Sequence, residues 1–338
     1  MINFISKILY KSNLGLNELL KPVEEDLLSL EGHLSTSLNS GNKKLDQIIE
    51  YVIGSGGKRL RPALVLLFAK ALTGGYITKK HLALAEAVEM IHTASLIHDD
   101  VIDDAETRRG LLTVGKKWDY RTAVITGDFI LARALMKLVE TGGIATEMFA
   151  GTLNELCIGE IQQGNQKFKE VSLEDYIKKS ERKTAKLFIA GTECAASIIP
   201  NPNNLIIKAA RDYSKNFGIA FQIIDDILNF NGRREKIGKP AGNDLRNGIL
   251  TAPVLYALQE YRNKKDPMLQ KIINNKLQGK KDFSLAMQLV VNSGGIEKSR
   301  KLAEEYISNA INALDILEDN IYKKALIDLA IYTLKRES

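Results

Sequence analysis

Cysteine is scarce in this chain. Its 338 residues include two, Cys157 and Cys194, and neither belongs to a CxxC pair. At most one bridge can form, so a disulfide-stapled scaffold and a zinc ribbon are both excluded. The two thiols read as small buried apolar residues in a reducing compartment. Proline numbers only seven, and no long Pro/Gly/Ser linker interrupts the chain, which predicts one domain over residues 1–338. No run has the length and apolarity of a membrane span. Alternating runs bounded by hairpin dipeptides are missing, so strands should be almost absent. The opening stretch MINFISKILYKSNLGLNELL has no small-residue cleavage site, is poor in Arg and contains Glu18. It reads as a folded helix rather than a secretory or transit peptide. The formal charge of +6 is spread rather than blocked, which favours an anionic ligand over a nucleic-acid surface.

What the chain does have is helical periodicity. Helices are predicted over 14–38, 45–52, 63–72, 81–102, 123–139, 144–163, 172–199, 205–230, 251–261, 283–291, 296–317 and 320–334. The fold class is therefore all-α: a single large helical bundle of ten or more helices, its ligand groups projecting from facing core helices.

Two of these helices carry acid where a core helix should carry none. In EMIHTASLIHDDVIDDAETRRG, Asp99, Asp100, Asp103 and Asp104 interrupt an otherwise apolar pattern, and Asp99 and Asp103 share one face. Unpaired, such carboxylates repel and are costly to bury. A hard divalent cation resolves this, and Mg²⁺ takes a few carboxylates while keeping positions for water and phosphate. In FGIAFQIIDDILNFNG, Asp225 and Asp226 repeat the arrangement, with Asn229 four positions on.

Cations accompany both sites. Arg108 and Arg109 follow the first acidic helix, Lys183-Thr184 precedes an apolar run, and Lys239 lies in a Gly-rich loop. The segment Gly54 to Pro62, GSGGKRLRP, is a second anion site, where glycines admit a phosphate to backbone N–H groups and Lys58 and Arg61 close on it. It is not a Walker A loop. His92 lies two turns before Asp99 on the same face and is a candidate donor to a second diphosphate, while His98 reads as structural. One diphosphate held with metals and one held by basic groups alone suggest chemistry in which the first departs and the second stays. No Ser-His-Asp, Cys-His or zinc-ligand set competes, and the rival reading, a non-catalytic helical interaction protein, leaves the acidic helices unexplained.

These motifs resemble the trans-type isoprenyl (polyprenyl) diphosphate synthases. The matches are GGKRLRP at Gly56–Pro62, the Glu89–Gly110 segment, GDFILARA at Gly127–Ala134, Lys183-Thr184, FQIIDDIL at Phe221–Leu228, GKPAGNDLRNG at Gly238–Gly248 and GGIEKSRKLAEEYISNA at Gly294–Ala310. The resemblance implies a bundle of the isoprenoid synthase type with a central cavity, and head-to-tail condensation of isopentenyl diphosphate with an allylic diphosphate. Asp99, Asp103 and Asp225 would hold Mg²⁺, with Asp100 and Asp226 in support and three ions per site when substrate is bound. Arg108, Lys183, Thr184, Gln222 and Lys239 would bind the allylic diphosphate. Lys58, Arg61, His92 and Arg109 would grip isopentenyl diphosphate. It also implies a homodimer, no nucleic-acid partner, and residence in a plastid stroma if plastid-encoded or otherwise in the cytoplasm.

Three positions depart from the family's pattern. Asn229 stands where a third Asp is usual, Ile249 where a Lys is common, and Leu112-Thr113-Val114-Gly115 where PTVH follows the RRG turn. They admit a catalytically weak or regulatory subunit as the alternative. The segment GILTAPVLYAL instead resembles the long-chain enzymes of cyanobacteria and plastids. Beneath the first acidic motif, Ala94 and Ser95 are small, so a tunnel should stay open to Met90 and Ile91 and admit a product of at least thirty carbons, with a nine-unit chain the single best expectation.

Overall fold

The computed structural model describes residues 15–165, 167–230 and 241–336. Most of the N-terminal stretch read as a helix, and Lys239 with its loop, lie outside the described residues. Helix α1 (Leu16–Leu20) leads through a 3-10 turn containing Pro22 into α2 (Glu24–Ser37). Next come α3 (Lys43–Gly54), α4 (Leu60–Thr73) and α5 (Lys79–Ile102). A two-residue hairpin, β1 (Thr107–Arg108) and β2 (Leu111–Leu112), is the one sheet among the described residues. Then follow α6 (Val114–Lys117), α7 (Tyr120–Thr141), α8 (Gly143–Asn165) and α9 (Leu173–Ser180). A π-helical segment, Glu181–Ala185, joins α9 to α10 (Lys186–Ser197), and α11 (Asn204–Leu228) follows. The chain closes with α12 (Asn243–Arg246), α13 (Ala252–Asn263), α14 (Met268–Asn274), α15 (Gly279–Asn292), α16 (Gly295–Ala313) and α17 (Ile321–Lys335). No helix among the described residues is long and apolar enough to cross a membrane.

The long central helices are buried on nearly every side, as a sequence apolar all round requires. Helix α5 packs mainly against α7, and α11 against α16, while α10 packs on α4, α5, α8 and α11. One buried apolar cluster runs from Leu20 to Leu334. The periodicity over 172–199 predicts one continuous helix, whereas the structure widens at Glu181–Ala185 into a π turn. Such single turns recur where a helix must re-aim side chains, and this one carries Lys183 and Thr184. Gly218 of α11 lies against it: a Cβ there would sit 2.6 Å from the Ala185 Cα, so only glycine lets α11 approach this closely.

Helix α5 ends because Asp103 caps it and Asp104 turns left-handed, φ 49. The turned-out Asp104 bonds Lys116 and the Tyr120 hydroxyl, which ties the end of α5 to α6 and α7.

Candidate active site

A cavity of about 910 Å³ opens between these helices. Polar residues that line it form an acidic group, Asp99, Arg108, Glu160, Lys183, Thr184, Gln222, Asp225 and Arg336, and a basic group, Lys58, Arg61, His92 and Arg109. Ile91, Ala94 and Ser95 of α5, Leu131 of α7, and Leu153 and Leu156 of α8 line it as well. Cys157 and Ile161 of α8 join them but are exposed, so Cys157 is not the buried thiol that the sequence suggests, whereas Cys194 is buried.

Within each Asp pair the structure divides the labour. Neighbouring residues on a helix point about 100° apart, and of each Asp pair one lines the cavity and the other does not. Asp99 does, and burial lifts its carboxyl to about 6, with Lys183 pulling it down and Glu160 and Asp103 pushing it up. Asp100 instead turns to Arg108, whose Nε donates to both carboxylate oxygens at 2.9 and 2.8 Å and whose Nη2 lies 2.7 Å from Oδ1. Its carboxylate is thus engaged by an arginine and does not line the cavity. Asp103, exposed at the helix end, does not line the cavity but lies near enough to act on Asp99.

The second pair behaves alike. Asp225 lines the cavity and lies 3.0 Å from Nη2 of Arg336. Asp226 is buried behind it, accepting from the Tyr176 hydroxyl at 2.5 Å and from Nε2 of Gln222 at 2.8 Å. Burial pushes its carboxyl up to about 7; Asp244 adds to this, and the two hydrogen bonds pull back. Thr184 donates to Oε1 of Gln222 at 2.6 Å, so the amide of Gln222 is fixed at both ends. Asn229, 2% exposed, caps α11 and does not line the cavity; its carbonyl accepts from the Gly242 N–H at 2.7 Å.

The basic side is organised by the hairpin and by α4. Arg109 and Gly110 at the turn are both left-handed, φ 53 and 78, the geometry of a tight hairpin. The Arg109 guanidinium lies over Gly57, where a Cβ would come within 3.1 Å of it, and its Nη1 reaches Ser55 Oγ at 3.5 Å. Arg61 is buried beneath, 4.6 Å from the centre of the Phe188 ring, and burial brings its guanidinium down to about 10. Its Nη1 lies 3.1 Å from Nε2 of His92. A guanidinium only donates, so that nitrogen accepts. Burial, reinforced by Arg61, holds the His92 pKa well below its ordinary value, so the ring is neutral. His92, a sequence candidate for donating to diphosphate, therefore orients Arg61 with this nitrogen. The structure further places Ile91, Ala94 and Ser95 on the cavity wall but turns Met90, 1% exposed, into the core.

Comparison with known proteins follows from this geometry. The sequence profile of the polyprenyl synthetase family matches residues 42–290. The chain belongs to that family. It is 39% identical over 96% of its length to the chloroplastic solanesyl-diphosphate synthase 2 of Oryza sativa subsp. japonica, covering 80% of that protein. It is 38% identical over 94% of its length to a prenyl transferase of Synechocystis, covering 98% of it. Among solved structures, the polyprenyl synthase of Caulobacter crescentus, crystallised with calcium and isoprenyl diphosphate, superposes with a TM-score of 0.89 at 32% identity, over 97% of this chain and 100% of that one. This polyprenyl synthetase is thus an enzyme that transfers prenyl groups, with the all-helical fold of its relatives.

Sequence reasoning missed several residues at this site. Glu160 of α8, 2.8 Å from the Lys183 ammonium, is a third carboxylate at the acidic side. Burial draws the Lys183 pKa down, but Glu160 more than offsets this and leaves it raised. Arg336, after the last helix, reaches into the cavity with its guanidinium 4.1 Å from the centre of the Phe221 ring, and its Nε and Nη1 are buried without hydrogen bonds. No cluster of three or more His, Cys, Asp or Glu among the described residues forms a metal cage. The donors offered, Asp99 and Asp225 with Asp103 nearby, are hard oxygens and few in number. That set fits Mg²⁺, which fills the rest of its shell with water and phosphate oxygen.

Proposed function

We propose that this enzyme condenses isopentenyl diphosphate with an allylic diphosphate, head to tail and with Mg²⁺, to make a polyprenyl diphosphate of at least thirty carbons, nine units being the favoured length. The carrying observation is that one cavity is lined by the carboxylates Asp99 and Asp225, by the cations Lys58, Arg61 and Arg109, and by apolar side chains. The names of the rice and Synechocystis relatives support the same reading.

In this reading Asp99, Asp103 and Asp225 hold the metals, three when substrate is bound, and the metals supply charge that draws electrons toward the departing group. Lys183 exchanges Glu160 for the allylic diphosphate, and Arg108 turns toward it from Asp100. Gln222, fixed by Thr184 and Asp226, lies beside the same group. Arg61, oriented by His92, holds isopentenyl diphosphate together with Lys58 and Arg109. The allylic C–O bond breaks with its electron pair leaving on diphosphate. The isopentenyl double bond attacks the allylic cation, and the proton lost in forming the new double bond goes to the departed diphosphate. The growing tail lies along Ser95, Ala94, Leu131 and Leu153. Where the chain is plastid-encoded this takes place in the stroma, as the chloroplastic names of plant relatives favour, and otherwise in the cytoplasm.

The reading is tested by incubating the purified chain with Mg²⁺, labelled isopentenyl diphosphate and each allylic starter in turn. Elongation past thirty carbons without a second protein is expected. No elongation until a partner subunit is added assigns the chain to a heteromeric synthase instead.

The homodimer belongs to this proposal. Ile125, Met136 and Val139 form one stripe on α7 and are 51%, 59% and 68% exposed, and Ile144 and Ile161 on α8 are 63% and 72% exposed. A stripe of this kind is apolar surface awaiting a partner. The Met136→Asp/Val139→Asp variant is expected to sediment as a monomer where the wild type sediments as a dimer. A wild type that is monomeric at micromolar concentration overturns the dimer.

A further inference from the structure

Arg59 is a non-glycine residue in the left-handed region, φ 47 and ψ 31, immediately before α4. Such a conformation persists only where the surroundings over-determine it. Here two carboxylates from two other helices do so. Nε and Nη2 of Arg59 donate to Glu31 of α2 at 2.5 and 3.1 Å, and Nη1 donates to Glu89 of α5 at 2.5 Å. Glu89 is 3% exposed, and removing one partner of a buried ion pair is costly. The planar fork of an arginine can serve two carboxylates in this way, whereas the point charge of a lysine cannot hold both in one geometry.

The clamped residue stands between the two cations of the basic side. Lys58 precedes it and Arg61 follows in the first turn of α4, and both line the cavity. Were Arg59 to relax to a right-handed conformation, the chain before α4 would enter from another direction and Lys58 would leave the cavity wall. Glu31 does not line the cavity, and it reaches the site only through Arg59.

We propose that Arg59 is a positioning residue: clamped by Glu31 and Glu89, it fixes where Lys58 and Arg61 point and so sets the affinity of the basic side for isopentenyl diphosphate. This rests on the assignment of that side under the proposed function. Arg59 and Glu89 also line the cavity, but each guanidinium nitrogen of Arg59 already donates to a carboxylate, so the role assigned to it is through its neighbours.

The test is steady-state kinetics of Glu31→Ala and Arg59→Lys, each well below its melting midpoint, with KM measured for isopentenyl diphosphate and for the allylic starter separately. Loss of one charged hydrogen-bonded arm is expected to raise KM for isopentenyl diphosphate about tenfold. The allylic KM, and kcat at saturating isopentenyl diphosphate, stay within about twofold because the acidic side is untouched. Arg59→Lys reports the same quantity if Glu31→Ala fails to fold. A wild-type isopentenyl KM in both variants, or an equal rise in both KM values, overturns the positioning role. Lys58→Ala is the control on the underlying assignment. If it raises the isopentenyl KM while the clamp variants do not, the side is correctly assigned and only the clamp is wrong. If it leaves that KM unchanged, the assignment falls and the clamp proposal with it.

Discussion

Asp99→Ala is expected to lower turnover about a hundred- to a thousandfold, the loss usual when one preorganised electrostatic group is removed from a reacting centre. Helicity should not change, since alanine is the best helix former and the site lies within α5. The stability of the metal-free protein should change with pH in a defined direction. Folding lifts the Asp99 carboxyl from 3.8 to about 6, so the folded state holds the proton more tightly than the unfolded state. The resulting stabilisation is complete below about pH 4 and is lost as pH rises through about 6. Above that range the ionised carboxylate destabilises the empty site, by on the order of 1–3 kcal/mol. Asp99→Asn should therefore melt at the wild-type temperature near pH 4 and a few degrees above it at pH 7, and Mg²⁺ should narrow the gap by stabilising only the wild type. Melting curves with and without Mg²⁺ at the two pH values, beside a turnover assay, check all of this. Retained turnover in Asp99→Ala removes the metal assignment.

The second large effect is on product length. Ala94 is 2% exposed on the cavity wall, and Ser95, one turn below Asp99, stands beside it with its hydroxyl bonded back to the His92 carbonyl at 2.9 Å. A diphosphate held by the polar lining sends its tail past these two small residues. Each five-carbon addition buries further apolar surface, at roughly 25 cal/mol per Å², so an open apolar cavity retains and extends its product. Ala94→Phe or Ser95→Phe fills that passage and is expected to truncate the product toward fifteen or twenty carbons, with the KM of the short starters little changed. Product lengths resolved by reverse-phase chromatography decide it. A wild type that stops at twenty carbons, or two phenylalanine variants with unchanged products, places the limiting wall elsewhere.

The helical fold was legible because burial of a helix leaves a period in the sequence, and the long core helices end within a few residues of where caps and glycines put them. Asn203, for example, accepts from the Leu205 N–H at 2.8 Å at the start of α11. The π turn at Glu181–Ala185 was not legible, because five residues of altered pitch barely disturb a periodicity read over twenty. Helix α14 was missed because its seven residues, between Pro267 and a lysine-rich segment, are too few to show a period.

At the site, residue types were legible and their partners were not. The sequence puts Asp99 beside Asp100 and Asp225 beside Asp226, but which of each faces the cavity depends on what stands behind it. Arg108 takes Asp100, and Tyr176, fifty residues away, takes Asp226. Glu160 looks like a polar position on an ordinary helix, and Arg336 like a charge at a chain end. Each becomes part of the site only because α8 and α17 dock where they do. The fixed spacing of Arg59, between Lys58 and Arg61, was visible throughout; its left-handed backbone and its two carboxylates were not.

The cavity is built by two different kinds of contact. Its polar lining is a lattice of ion pairs and hydrogen bonds, in which a change at one residue disturbs several. Its apolar lining is a set of side chains such as Ile91, Ala94, Leu131 and Leu153, which carry no charge. On the proposed assignment, a change at codon 94 or 95 is expected to alter how long the product grows without touching the groups that hold the diphosphates. Divergence in the lipid supplied would then need only single substitutions in that wall.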